Sequence, residues 1–177
     1  VGNANYLLET EVGAEIDAHD VIIRFNKGFV VSPAAQGSRT SIHCLATNVP
    51  LNDLKIRVPT AHLLYVSPVR SYLAHDLRDV DAPCTCIPLS DWKQLSLTMG
   101  GLRPSAGLIV IDFLLNRATT NTISIYGFDW KRTKSFYHKT KIKDWHSGEA
   151  ERQILLQWAA KEPGRINFGN CPMGEPD

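Results

Sequence analysis

Short apolar runs alternate with stretches of helical spacing along this chain. Asp20–Phe25, Ser41–Leu45, Ala61–Val66, Thr85–Ile87, Thr122–Tyr126 and Arg165–Phe168 are apolar without clean alternation. That is the pattern of strands covered on both faces. Between them, Val69–Leu77, Leu89–Leu97, Ser105–Arg117 and Glu149–Lys161 read as helices. The last has apolar residues at Ala150, Ile154, Leu155, Trp158 and Ala159, a regular stripe, and Pro163-Gly164 stops it. Leu108–Leu115 is apolar nearly all round, which predicts burial. Strands alternating with helices imply a mostly parallel sheet in an α/β/α sandwich. Two stretches lack an apolar period: Thr98–Leu102, and the basic, aromatic segment Lys131–Asp144, which reads as an exposed loop over the C-terminal edge of the sheet.

The chain has 177 residues, 44% of them hydrophobic and 21% charged. These values fit one globular domain over residues 1–177 with a proper core. A net charge of +1 argues against duplex nucleic acid as a partner. No apolar run reaches the roughly 18 residues of a membrane span, so any membrane contact is expected to be peripheral. Val1-Gly2-Asn3 reads as the end of a strand. A truncated strand is therefore expected there, with any targeting or anchoring segment, or a larger protein, beyond it. Of the four cysteines, Cys44 lies in an apolar run and is expected to be a buried free thiol. Cys84-Thr85-Cys86 is too sparse for a zinc site without a second pair. A reduced, cytoplasmic chain is the expectation from cysteine usage.

Four segments carry chemistry. Arg103-Pro104-Ser105-Ala106-Gly107 runs into a helix, and a helix start offers bare N–H groups and a positive dipole end to an anion such as phosphate. Gly107, lacking a side chain, would let that anion approach closely. The strand that follows ends Tyr126-Gly127-Phe128-Asp129-Trp130 and delivers a glycine and two aromatics to its C-terminal end, where open α/β sheets bind ligands. Val1–Leu7 places Gly2 and Asn3 in a second turn, although it is not a G-x-G-x-x-G fingerprint. Glu15–Asn26 reads as a turn and a strand ending in Asn26, whose amide offers both a donor and an acceptor to a base or ribose. In Trp145–Glu151, Ser147 is a plausible N-cap, and a neutral His146 just before it could act as a general base. Asp79-Val80-Asp81 is formally a metal-binding D-x-D but reads as a solvated turn.

Together these segments resemble the sialyltransferases. Gly2-Asn3 through Glu15-Ile16-Asp17-x-His19-Asp20 to Arg24-Phe25-Asn26 is similar to that family's large sialylmotif. Pro104-Ser105-Ala106-Gly107 through Tyr126-Gly127-Phe128 is similar to the small one. Phe136-Tyr137-His138 falls at the third motif, and His146-x-x-x-x-Glu151 matches the very small motif, whose histidine is the family's catalytic base. Ala106 stands where threonine is usual, and Asn116–Thr120 lacks the cysteine of the family's disulfide. Gly127-Phe128-Asp129 and His146-Ser147 also resemble bacterial lipooligosaccharide sialyltransferases, so the resemblance is to a divergent, bacterial-type member.

The resemblance implies a Rossmann-like fold and an inverting, metal-independent transfer of sialic acid from CMP-sialic acid to a glycan or glycolipid hydroxyl. CMP-Kdo is the alternative donor, as in capsule or lipopolysaccharide synthesis, and a non-catalytic CMP-binding module is the alternative of another class. No cofactor and no metal ligand are expected. His146 would be the base. Ser105, Ala106 and Gly107 would hold the phosphate, with Tyr137 or His138 closing over it. Gly2, Asn3, Asn26, Gly127 and Phe128 would hold the nucleotide, with Asn48 as a weaker donor contact. A eukaryotic source would place such an enzyme in the Golgi lumen.

Overall fold

A computed structural model describes residues 1–47, 49–69, 83–118, 122–138 and 146–172. The helix expected over Val69–Leu77, the D-x-D of Asp79 and Asp81, and Asn48 fall wholly or almost wholly outside the described residues. Four strands, β1 (Ile23–Phe25), β2 (Ile42–Leu45), β3 (His62–Tyr65) and β4 (Cys84–Cys86), form a parallel sheet in that order. Ile23 pairs with Ile42, Ile42 with His62, and Leu63 with Cys84. A second parallel pair, β5 (Ile123–Ser124) and β6 (Ile166–Asn167), stands apart in the hydrogen-bond ladder. The residues at the start of the chain lie between the two. Gly2 donates to the carbonyl of Tyr126 at 2.7 Å and Ala4 to that of Gly127 at 3.0 Å. On the other side, Asn3 Nδ2 donates to the carbonyl of Phe25 at 3.1 Å.

The single sheet expected from the sequence is thus two ladders joined by Gly2–Ala4, in a Rossmann-like arrangement. The chain moves outward through β1 to β4 on one side of this segment, and β5 and β6 lie on the other. That reversal is a topological switch point, the place where open α/β sheets leave a crevice at the carboxyl ends of their strands.

Six α-helices occur among the described residues: α1 (Gly13–Asp17), α2 (Pro33–Gln36), α3 (Leu51–Arg57), α4 (Leu89–Thr98), α5 (Ala106–Arg117) and α6 (Gly148–Lys161). The last three lie where apolar spacing predicts helices. Burial of α5 is concentrated in its first half, at Gly107–Ile111. There it packs with Phe25, Cys44, Leu64 and Val66 of the sheet and with Ile154 and Leu155 of α6 in one core. The first three helices are too short for a period of 3.6 to show, and side-chain bonds tie down the ends of α1 and α2. The guanidinium of Arg24, 1% exposed, donates to the carbonyls of Gln36 at 2.7 Å and Arg39 at 2.9 Å and to Thr40 Oγ1 at 3.1 Å. Asp17 accepts the backbone N–H groups of Ser38 and Arg39. Glu15-Ile16-Asp17, expected as a turn, therefore belongs to a helix.

His43 of β2 is fully buried. Burial pushes its pKa down from 6.5 to about 4, and the Arg24 cation adds to this against an opposing bond to the Asn26 carbonyl. Between those two values the unfolded chain binds a proton that the folded chain does not. Stability is therefore full above the unfolded pKa and falls as pH drops toward the folded one, by about 3 kcal/mol in all. Urea unfolding at pH 7, 5.5 and 4.5 is expected to show a shallower decline in His43→Gln than in the wild type. Equal slopes would contradict this origin.

Candidate active site

At the switch point lies a cleft of about 180 Å³ lined by Gly2–Ala4, Phe25-Asn26, Ala46-Thr47, Arg103–Gly107, Gly127–Lys131, Tyr137, His146 and Glu151, among others. Ten residues expected from the sequence meet there: Gly2, Asn3, Asn26, Ser105, Ala106, Gly107, Gly127, Phe128, Tyr137 and His146. His138 does not line it. The His138 N–H closes a turn onto the carbonyl of Ser135 at 2.9 Å, and its ring pKa is lowered by burial and by the Lys27 cation.

Two glycines close one wall. Gly127 has φ of 71°, and a Cβ there would lie 2.8 Å from Leu7 Cδ2 and 2.9 Å from the Gly2 carbonyl oxygen. A Cβ on Gly2 would come within 2.3 Å of the Gly127 carbonyl oxygen. Both positions need glycine because two backbones touch. Asn3 is held from both ends of its amide nitrogen, by Phe25 and, at 3.5 Å, by the hydroxyl of Tyr137. Asn26 Oδ1 accepts the N–H of Ala46 at 2.8 Å. The donor and acceptor expected of Asn26 are thus unequal: one acceptor site already holds the backbone, and the amide N–H groups remain for a ligand.

The helix-start anion site is arranged differently from expectation. Ser105 is the N-cap of α5, its Oγ accepting the N–H of Leu108 at 3.3 Å. Its own N–H and Oγ–H both donate to the carboxylate of Glu151, each at 2.7 Å. Glu151 is 5% exposed and sits in the first turn of α6. A protein carboxylate already occupies the Ser105 N–H. Ala106 and Gly107, as the first two residues of α5, keep N–H groups with no acceptor within the helix. Nor does Gly107 leave an open approach, because a Cβ there would lie 2.4 Å from the ring of Phe128. That glycine makes room for an aromatic ring, which is itself edge-on to Phe25 at 6.2 Å.

His146 comes from the turn before α6, whose N-cap Ser147 accepts the N–H of Ala150 at 3.3 Å. Its Nδ1 lies 2.9 Å from the carbonyl oxygen of Arg103. A carbonyl only accepts, so Nδ1 carries the hydrogen and Nε2 is the basic nitrogen of the neutral ring. The two segments are therefore stitched together across the cleft by one bond from His146 and two to Glu151.

The segment after β5 is an ordered turn. Asp129 accepts the N–H of Lys131 at 3.1 Å and that of Thr133 at 2.7 Å, and also binds the Thr133 hydroxyl. This holds Trp130 and Lys131 at φ of 58° and 66°, consecutive left-handed residues that side chains rarely adopt. Residues 134–138 are tied down by bonds from Asn5 to Lys134 and from Phe136 to Asn3, so this part of the expected loop is anchored on the Asn3 segment. Glu151, Arg103, Asp129 and Trp130 line the cleft as well. The sequence places all four inside the segments that carry chemistry but gives none of them a role as a site residue.

All four cysteines are free thiols; Cys44 is buried as expected, and Cys171 is buried as well, with Cys84 and Cys86 exposed. Among the described residues no cluster of His, Cys, Asp or Glu could hold a metal ion, and no helix is long and apolar enough to cross a membrane.

The chain is similar to known proteins in sequence and in fold. The model of glycosyltransferase family 29 (sialyltransferase) matches residues 1–72. The CMP-N-acetylneuraminate-beta-galactosamide-alpha-2,3-sialyltransferase 2 proteins of Mus musculus and Rattus norvegicus are each 27% identical over 161 residues. The match takes in 78% of this chain and 44% of each relative, so the chain spans less than half their length. The crystal structure of a mammalian sialyltransferase superposes with a TM-score of 0.64 at 20% identity, over 98% of this chain and 67% of that one. That likeness shows a shared fold.

Proposed function

We propose that this chain, a relative of the glycosyltransferase family 29 sialyltransferases, transfers sialic acid from CMP-sialic acid to a glycan hydroxyl with inversion and without a metal ion. The observation that supports the reading is the bond from His146 to the Arg103 carbonyl, which holds the ring beside the helix start where a phosphate would sit and makes Nε2 its basic nitrogen. In this reading the acceptor hydroxyl attacks the anomeric carbon of the donor sugar. His146 Nε2 takes the hydroxyl proton as the new bond forms. The bond from that carbon to the CMP phosphate oxygen breaks on the opposite face, and the electron pair leaves on the phosphate.

The N–H groups of Ala106 and Gly107 and the positive end of α5 stabilise that charge. Arg103 and Lys131 supply cations to the same cleft, offsetting the carboxylate that Glu151 already places there. Gly2, Asn3, Asn26 and the Gly127-Phe128 strand end hold the nucleotide, and Tyr137, bonded to Asn3, covers it.

Incubation with CMP-sialic acid and galactose-terminated acceptors, read by mass spectrometry, is expected to give sialylated product and CMP at the same rate with and without EDTA. Transfer from CMP-Kdo alone would replace the donor. Binding of CMP with turnover of neither donor would make the chain a binding module. Strict dependence on manganese would bring Asp79 and Asp81 into the chemistry.

A further inference from the structure

Asn26 lines the cleft in a left-handed conformation, at φ of 52°, a region that asparagine enters more readily than most residues but that here is fixed by its neighbours. Three bonds do so, all from β2 or the residue after it. The N–H of Asn26 donates to the Cys44 carbonyl at 2.8 Å. Its Oδ1 accepts from Ala46. Its carbonyl oxygen lies 2.6 Å from His43 Nε2. Because a carbonyl only accepts, that nitrogen carries the hydrogen. The His43 Nδ1 is buried with no hydrogen-bond partner, consistent with a neutral ring protonated at Nε2 alone. The ring is clamped flat against Phe29, with centroids 5.2 Å apart and planes 10° from parallel. The guanidinium of Arg57 lies over that same Phe29, 5.3 Å from its centroid.

We propose that His43 is a positioning residue for nucleotide binding: its Nε2–H fixes the Asn26 carbonyl and so the left-handed turn that presents the Asn26 amide to the cleft. This rests on reading the cleft as a CMP site. A histidine that merely filled the core would affect stability without changing the affinity of the folded protein.

The test is the CMP dissociation constant of the wild type, His43→Leu, His43→Gln and Asn26→Ala. His43→Leu leaves the Asn26 carbonyl without its donor and is expected to weaken CMP binding about tenfold. His43→Gln, whose amide N–H reaches the same carbonyl, is expected to bind within about threefold of wild type. The double variant His43→Leu, Asn26→Ala is expected to be no weaker than Asn26→Ala alone, because both act through one group. Equal binding by His43→Leu and wild type, a Gln variant as weak as Leu, or additive losses would overturn the inference.

A readout on the wild type does not depend on any variant folding. The His43 Nε2–H proton resonance is expected to shift when CMP saturates the cleft, and an unmoved resonance would overturn the inference. Failure of the wild type to bind CMP would instead overturn the reading of the cleft.

Discussion

His146→Gln abolishes transfer, by about a thousandfold in kcat, while CMP binds as it does to the wild type; this is the first expected result. The size follows from the contribution of a positioned general base, roughly 10² to 10⁴ in rate. Glutamine is chosen because its amide can still donate to the Arg103 carbonyl, which His146 holds at 2.9 Å. The substitution keeps the stitch between the two segments and removes only the basic nitrogen. His146→Ala removes both, and its kcat is expected to fall at least as far. Burst kinetics and isothermal titration with CMP separate the two effects. Retained transfer in the Gln variant would sink the assignment of the base.

The second large effect is at Glu151. Its carboxylate takes two charge-assisted hydrogen bonds from Ser105, and both residues are buried. It also lies between the first turns of α5 and α6, where both helix dipoles favour negative charge. Glu151→Ala leaves a buried N–H and a buried hydroxyl without a partner and is expected to cost about 3 kcal/mol of stability. Transfer is expected to fall with it, because Ser105 caps the helix whose first N–H groups are proposed to bind the leaving phosphate. Glu149→Ala, two residues earlier, is the control. Its side chain is 48% exposed in an ion pair with Arg152, and such pairs contribute less than about 1 kcal/mol. Denaturant unfolding of both variants checks the contrast. Equal losses at the two positions would contradict the role given to Glu151.

The elements that carry an apolar pattern of their own were legible. The apolar stripe of Glu149–Lys161 and the runs at Ile42–Leu45 and His62–Tyr65 carry their own signals. Gly13–Asp17 and Pro33–Gln36 were not legible, because each is one turn of helix held by a partner distant in sequence, chiefly Arg24 and Asp17. The site divides in the same way. The order of its motifs along the chain was readable, and with it the meeting of Gly2, Asn3, Asn26, Ser105, Gly127 and His146. What each group does in the cleft was not, since that depends on tertiary neighbours. Spacing alone does not show that Glu151 already holds Ser105, or that Phe128 fills the space over Gly107. The resemblance likewise names His138 from its motif, while its neighbour Tyr137 lines the cleft and His138 does not.

The position of bound CMP is the most direct test of the cleft's role. A crystal structure of the CMP complex is predicted to place the phosphate within hydrogen-bond distance of the N–H groups of Ala106 and Gly107, on the side of the cleft that His146 faces. CMP bound away from the start of α5, or with its phosphate turned from those groups, would contradict it.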